Sequence, residues 1–332
     1  MLEQHKGGDT MFVKAERVST APSCPTTVRG GVLMAAMLIA LALMAPAASA
    51  APAPVSTCQT LGAPGAYALT ADIAVVDASC ISITAGDVRL DLAGHTISCT
   101  GSGFSGSCQV DAFGSTGVLV ASSVSDVSVM GPGTIAGFDN GVVIQDSNAL
   151  VQGITVTGPG GCDPASCSRP ISNGIMAIGL SGVNLLGNDV SNYALGLRLL
   201  SVQCPGGAAA CVLIGNTAQD NNCLGIQLSN STGYTLTQNV ARGNGSTPCF
   251  PTAGIGLGTG NTVTNNDSSS NFGFGIAAGP GQNGNIIVNN TARGNTVADL
   301  RAFPGTSNIW NDNNRCNTQS GAVPSGVCNP GE

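Results

Sequence analysis

Beyond residue 16 the chain contains no lysine, and its only remaining glutamate is Glu332. Charged residues make up 9% of the 332 positions and aromatics 4%. Lys and Glu are the strong helix formers of solvent-facing positions, so their scarcity argues against a helical protein. The formal net charge of −7 excludes the basic footprint of a nucleic-acid-binding chain. Histidine is nearly absent too, with His95 the only imidazole outside the first 50 residues. What replaces these residues is Gly, Asn, Thr, Ser and Val, a composition of short strands joined by turns. A surface this poor in charge is solubilised mainly by Asn, Ser, Thr and backbone groups.

One apolar run stands apart. Arg29 supplies positive charge, Val32 to Leu43 is continuously apolar or small, and Ala48-Ser49-Ala50 is a small-residue cleavage site, so residues 29–50 read as a secretory signal. The preceding segment is long for such a signal, and Met11 offers an alternative start. The run falls short of the ~20 residues of a spanning helix and is followed by Pro46, so cleavage rather than stable membrane insertion is expected. The expected organisation is a leader over 1–50, a Pro- and Ala-rich lead-in over 51–64, a repetitive body over 65–315 and a terminal cap over 316–332. Of 13 cysteines, Cys24 lies in the leader, and an even number remains for an oxidising compartment. Sequence neighbours suggest the pairs Cys58/Cys80, Cys99/Cys108, Cys162/Cys167, Cys204/Cys211, Cys223/Cys249 and Cys316/Cys328. A metal site is the competing use of Cys162 and Cys167, but no His lies near them.

From Gly117 onward the chain repeats itself. A glycine opens an apolar-x-apolar strand at Gly117, Gly141, Gly174, Gly196, Gly225, Gly254 and Gly275, with Asn-x-apolar and a further Asn following. The shortest intervals, 22 residues from Gly174 to Gly196 and 21 from Gly254 to Gly275, set the basic unit. Longer intervals carry insertions rich in Cys, Pro and Gly at 158–170, 201–211 and 243–252. A fixed period of this size means a solenoid. Two Asn columns follow the period: Asn188, Asn216, Asn239, Asn266, Asn290 and Asn313, then Asn192, Asn221, Asn244, Asn271 and Asn295. Stacked coils would lie about 4.8 Å apart, close enough for one amide to bond the next. Ile226, Leu228, Leu236, Val240, Ile255 and Val263 are expected to point inward as a continuous core.

The segments Leu90-Asp91-Leu92-Ala93-Gly94-His95-Thr96-Ile97 and Gly131-Pro132-Gly133-Thr134-Ile135-Ala136-Gly137-Phe138, with the Gly-Ile-x-Leu…Asn-x-Ile-x-x-Asn coils, resemble the pectin-lyase-like superfamily, and within it the Asn-rich bacterial members that include the NosD-like group. The resemblance covers roughly residues 65–315. It implies an all-β fold, a right-handed parallel β-helix forming a single-stranded solenoid with disulfide-stapled loops. It says little about activity, because one scaffold hosts many functions.

The chemistry expected of such relatives is incomplete here. Polygalacturonase-like relatives use an adjacent Asp pair with Gly-His-Gly and Arg-Ile-Lys motifs, and this chain has none of these. Pectate-lyase-like relatives hold Ca²⁺ through Asp and use an Arg as base; single Asp and Arg residues occur without a matching motif, and the calcium-binding nonapeptide is missing. No cofactor is therefore expected, with Ca²⁺ left open but supported by no motif, and an enzyme of this type would be lyase-like rather than a pectin hydrolase. Asp91 and His95 sit four residues apart, about 13 Å along a strand, too far to share a hydrogen bond. Asp139 and Asp146 read as turn residues more readily than as a carboxylate pair. Tyr193, Tyr234 and Trp310 are too scattered for a sugar-stacking platform.

One face is the candidate site. Residues two after each opening glycine point outward, which sets Arg198 beside Gln227 on successive coils, with Gln145 nearby. Asp111, Asp163 and Arg169 lie on loops that would wall that face. Arg, Gln and Asp there suit an acidic or neutral polysaccharide. Two functions remain open at this point: a polysaccharide-interacting protein, or a rigid rod displaying loops at a cell surface.

Overall fold

A computed structural model describes residues 51–101, 108, 114–145, 148–160, 172–179, 181–204, 211–246, 249, 252–311 and 313–329. Among them every strand pairing between consecutive coils is parallel, and no helix longer than one turn is present. The strands stack into two sheets of eleven and a third face of seven strands followed by three. One coil shows the unit: strands Leu195–Leu200, Val212–Ile214 and Thr217–Gln219 each pair with Leu224–Ser229, Thr235–Thr237 and Val240–Arg242 of the next. This is the right-handed parallel β-helix that the repeat implied. Strands begin at Ala53–Val55, within the Pro- and Ala-rich segment, and the last is Cys328–Asn329.

Period-two alternation fills the core. Leu197 and Leu199, Ile226 and Leu228, then Ile255 and Leu257 point inward from successive strands, each at most 1% exposed. Leu213, Leu236 and Val263 close a second side, and Val190, Ala218 and Ala241 a third. Val240 departs from expectation: it is only half-buried, and Ala241 takes the inward place. The strand follows a buried corner residue, Asn239, so its alternation starts one position later than a simple apolar count suggests.

The opening glycines have a steric cause. A Cβ on Gly141 would lie 2.6 Å from the carbonyl oxygen of Gly174, and one on Gly225 would lie 2.7 Å from that of Gly254. Successive coils approach backbone to backbone there, and a side chain would force them apart.

Asparagine lines the corners in continuous files. The side-chain amide of Asn188 donates to Oδ1 of Asn216 at 3.0 Å, Asn216 to Asn239 at 2.9 Å, Asn239 to Asn266 at 2.9 Å and Asn266 to Asn290 at 3.0 Å. The file ends on Asn314, to which Asn290 donates at 3.1 Å, and not on Asn313, which is exposed. The spacing of 24 residues from Asn266 to Asn290 repeats from Asn290 to Asn314, and it is the register, not the adjacent Asn, that selects the partner. In the second file Asn221, Asn244, Asn271 and Asn295 follow one another, and Asn295 donates to the buried carboxylate of Asp299 at 2.9 Å. Asn192 is not a member. It sits at φ 63° on the surface, where Asn tolerates the left-handed turn, and the backbone N–H of Tyr193 donates to Asn221 instead. A third file, Asn261, Asn285 and Asn308, escaped the sequence reading because only three coils carry it.

Disulfides join Cys58 to Cys80, Cys99 to Cys108, Cys204 to Cys211, Cys223 to Cys249 and Cys316 to Cys328. Cys162 and Cys167 lie outside the described residues.

Candidate functional site

The second eleven-stranded sheet, the one containing Leu195–Leu200, carries the outward column anticipated from the glycine register. Across its strands Leu119, Val143, Met176, Arg198, Gln227, Gly256, Ala277, Arg301 and Ser320 stand opposite one another in turn. Arg198 and Gln227 are therefore direct cross-strand neighbours. Both are half-buried, and Nε of Arg198 and Oε1 of Gln227 are buried without a hydrogen-bond partner. Burial lowers the Arg198 guanidinium from its ordinary pKa by desolvation, yet a guanidinium stays cationic at any physiological pH. A buried donor or acceptor left unpaired costs about 1–3 kcal/mol, so this pair is poised to gain from a polar ligand.

Gln145 is not part of that pair. Ile144 stands opposite Ala177, which places Gln145 in the next outward row, and the strand bearing Met176 separates it from the one bearing Arg198. Asp111, Asp163 and Arg169 lie outside the described residues. Sequence reasoning passed over Arg301 and Ser320 because the strand Ala298–Ala302 opens on Asp299 rather than Gly; the register Ile276 to Leu300 would have revealed it.

The other candidates have structural partners. Nδ1 of His95 lies 3.3 Å from Oδ1 of Asp72, not from Asp91. The same oxygen accepts the Thr96 backbone N–H at 2.9 Å, and these bonds, the backbone one first, hold the Asp72 carboxyl below its usual pKa. Asp91 accepts the N–H of Ala93 in a turn. Asp139 accepts from the backbone N–H and hydroxyl of Ser115, tying one coil to another; Asp146 lies outside the described residues. Tyr193 and Tyr234 are fully buried, and desolvation pushes both phenols far above their ordinary pKa, so neither offers a sugar a stacking face. Trp310 is 9% exposed and belongs to the core.

The family model for NosD, described as a periplasmic copper-binding protein, matches residues 112–326. The chain belongs to the NosD family. No curated protein matches its sequence. Among solved structures, this NosD-family chain is similar to a mutant of the periplasmic alginate epimerase AlgG, with a TM-score of 0.53 and 15% identity over 79% of this chain and 73% of that one. It is also similar to the A-module of the Azotobacter vinelandii mannuronan C-5 epimerase AlgE4, with a TM-score of 0.45 and 14% identity over 76% and 69% of the two chains. The first likeness shows a shared fold.

The donor set of the described residues does not fit copper. Copper sites are built from thiolate, thioether and imidazole ligands. Past residue 50 the chain has one His, His95, and two Met, Met130 and Met176. Among the described residues all ten cysteines are in disulfides, and no group of three or more His, Cys, Asp or Glu converges. Among them also, no helix is long and apolar enough to cross a membrane.

Proposed function

We propose that this NosD-family protein binds a polysaccharide in the periplasm or outside the cell, on the outer face of the sheet that carries Arg198 and Gln227. The carrying observation is the pair itself. A guanidinium and a carboxamide stand side by side on a sheet face, each with a buried polar atom that no group among the described residues satisfies. Sugar hydroxyls donate and accept over short distances, and a ring carboxylate offers two oxygens to a guanidinium fork. The similarity to AlgG, an alginate epimerase, supports a carbohydrate ligand by fold. The disulfides and the signal-like residues 29–50 support export. No residue is assigned a catalytic role, and the reading is one of binding.

A second reading is favoured by the other broad face. Around Thr235, Thr237, Thr262 and Thr264 the outward residues of the first sheet are uncharged, as suits a rod that merely displays its loops. A glycan array separates the two. The mature protein is expected to retain acidic or neutral polysaccharides, and Arg198→Ala to weaken retention by about tenfold or more, the scale of a lost charge-assisted bidentate contact. Retention unchanged in Arg198→Ala would remove this face from the function, and no retention of any glycan would leave the display reading.

A further inference from the structure

On the same face, four strands from Arg198, a second polar position is built differently. Arg301 stands opposite Ala277 on one side and Ser320 on the other. Its guanidinium carbon lies 4.6 Å from the ring centroid of Phe303 and 5.7 Å from that of Phe274. Two aromatic faces hold the cation in place without consuming its N–H donors. Nε of Arg301 and Oγ of Ser320 are both buried without a hydrogen-bond partner. Among the described residues the ion pairs are His95–Asp72 and Arg242–Asp267, and no carboxylate among them pairs with Arg198 or Arg301.

Between Gln227 and Arg301 the outward row is low and apolar. Gly256 and Ala277 form its floor, and a Cβ on Gly256 would meet nothing nearer than 3.8 Å. Phe274 packs with Ala253 and Ala298 in an apolar cluster separate from the main core, with Leu224 and Ala277 against it. Only the half-buried Leu224 and Ala277 of that cluster reach the surface, as a small apolar patch of the kind sugar C–H faces pack on.

We infer that Arg301, held by Phe274 and Phe303 and joined by Ser320, is an oxyanion-binding subsite, and that the ligand is an acidic glycan lying along the solenoid axis from Arg198 to Arg301. This rests on the proposed polysaccharide-binding reading and deepens it. Four strand spacings separate the two arginines, roughly 19 Å. A linked pyranose advances by about one such spacing, so about four sugar units span the distance. A ring carboxylate and a sulfate ester present the same oxyanion to a guanidinium, and the test separates them.

The experiment measures affinities of the mature chain for oligogalacturonates of two, four and six units, for a sulfated dextran oligomer and for neutral dextran oligomers. The four- and six-unit acids are expected to bind at least tenfold more tightly than the two-unit acid and the neutral chains. Preference between galacturonate and sulfated dextran names the oxyanion. Arg301→Gln is expected to cut affinity for the four-unit acid by about tenfold and to leave the two-unit acid nearly unchanged. Gly256→Trp, at a position with an ordinary φ where a Cβ makes only ordinary contacts, is expected to block the longer acids while the thermal melt stays that of the parent. Four-unit binding that ignores both Arg301→Gln and Gly256→Trp overturns the subsite while leaving the Arg198 face standing. Equal affinity for acidic and neutral oligomers overturns the charge assignment alone. Loss of all glycan binding in the parent chain defeats the broader reading as well.

Discussion

Asn239 shows what a single side chain does in this rod. Its Oδ1 accepts from both the backbone N–H and the side-chain amide of Asn216, and its own amide reaches the carbonyls of Leu213 and Thr237 and the oxygen of Asn266. Removing it orphans buried donors and acceptors on two coils at once, at about 1–3 kcal/mol for each group left unpaired. Asn239→Ala is therefore expected to lower stability by about 3 kcal/mol or more in denaturant unfolding. Asn313→Ala, on the surface beside the file, is expected to stay within about 0.5 kcal/mol of the parent. A similar cost for both would mean that the amide file does not stabilise the fold. The file was legible in the sequence as a column because every member is Asn. Its last member was not, because two asparagines are adjacent at 313 and 314 and only the register tells them apart.

At the scale of the strand, the glycines divide into two kinds by their place in the repeat. Gly225 sits where successive coils touch, and its missing Cβ makes room for the carbonyl of Gly254 and the amide of Asn244. Gly256, two positions beyond an opening glycine, faces outward, and a Cβ there would make only ordinary contacts, 3.8 Å from Leu224 and 3.9 Å from the carbonyl oxygen of Ile226. Gly225→Ala is expected to cost several kcal/mol, about the 1–3 kcal/mol of overpacking plus disturbance of the neighbouring file, and Gly256→Ala under 1 kcal/mol. Melting curves of the two variants check this, and equal destabilisation would contradict the close-approach account. The outward column itself was readable from the glycine spacing as far as Ala277. It was lost at the next strand, where Asp299 replaces the glycine and uses its carboxylate to accept N–H groups from Asn295, Asn317 and Thr318.

For the molecule as a whole, stability runs along one dimension. Each coil contacts its neighbours, so the ends fray first and need closure. At the far end Trp310, Val323 and Val327 are buried in the core of the last described coils, and Cys316 is bridged to Cys328. Replacing both Cys316 and Cys328 by Ser is expected to speed amide exchange by tenfold or more over residues 298–329. Central coils near Leu213 and Leu236 are expected to keep their protection. Uniform loss of protection along the rod would show a single cooperative unit instead. The same linear build explains how a chain so poor in charge sets two arginines on one face: stacking places Arg198 and Arg301, of distant sequence number, in one straight row.

The sequence by itself determined the solenoid, its inward aliphatic rows and most of its asparagine files, because a fixed period forces like residues into register wherever coils stack. It also carried Arg198 and Gln227 into adjacency, since both sit two residues after an opening glycine. Only the tertiary structure decided which polar atoms stay unsatisfied, that Phe274 turns away from the main core, and that Arg301 stacks on Phe274 and Phe303. Those depend on side-chain packing across coils, where departures from the repeat, not the repeat itself, shape the surface.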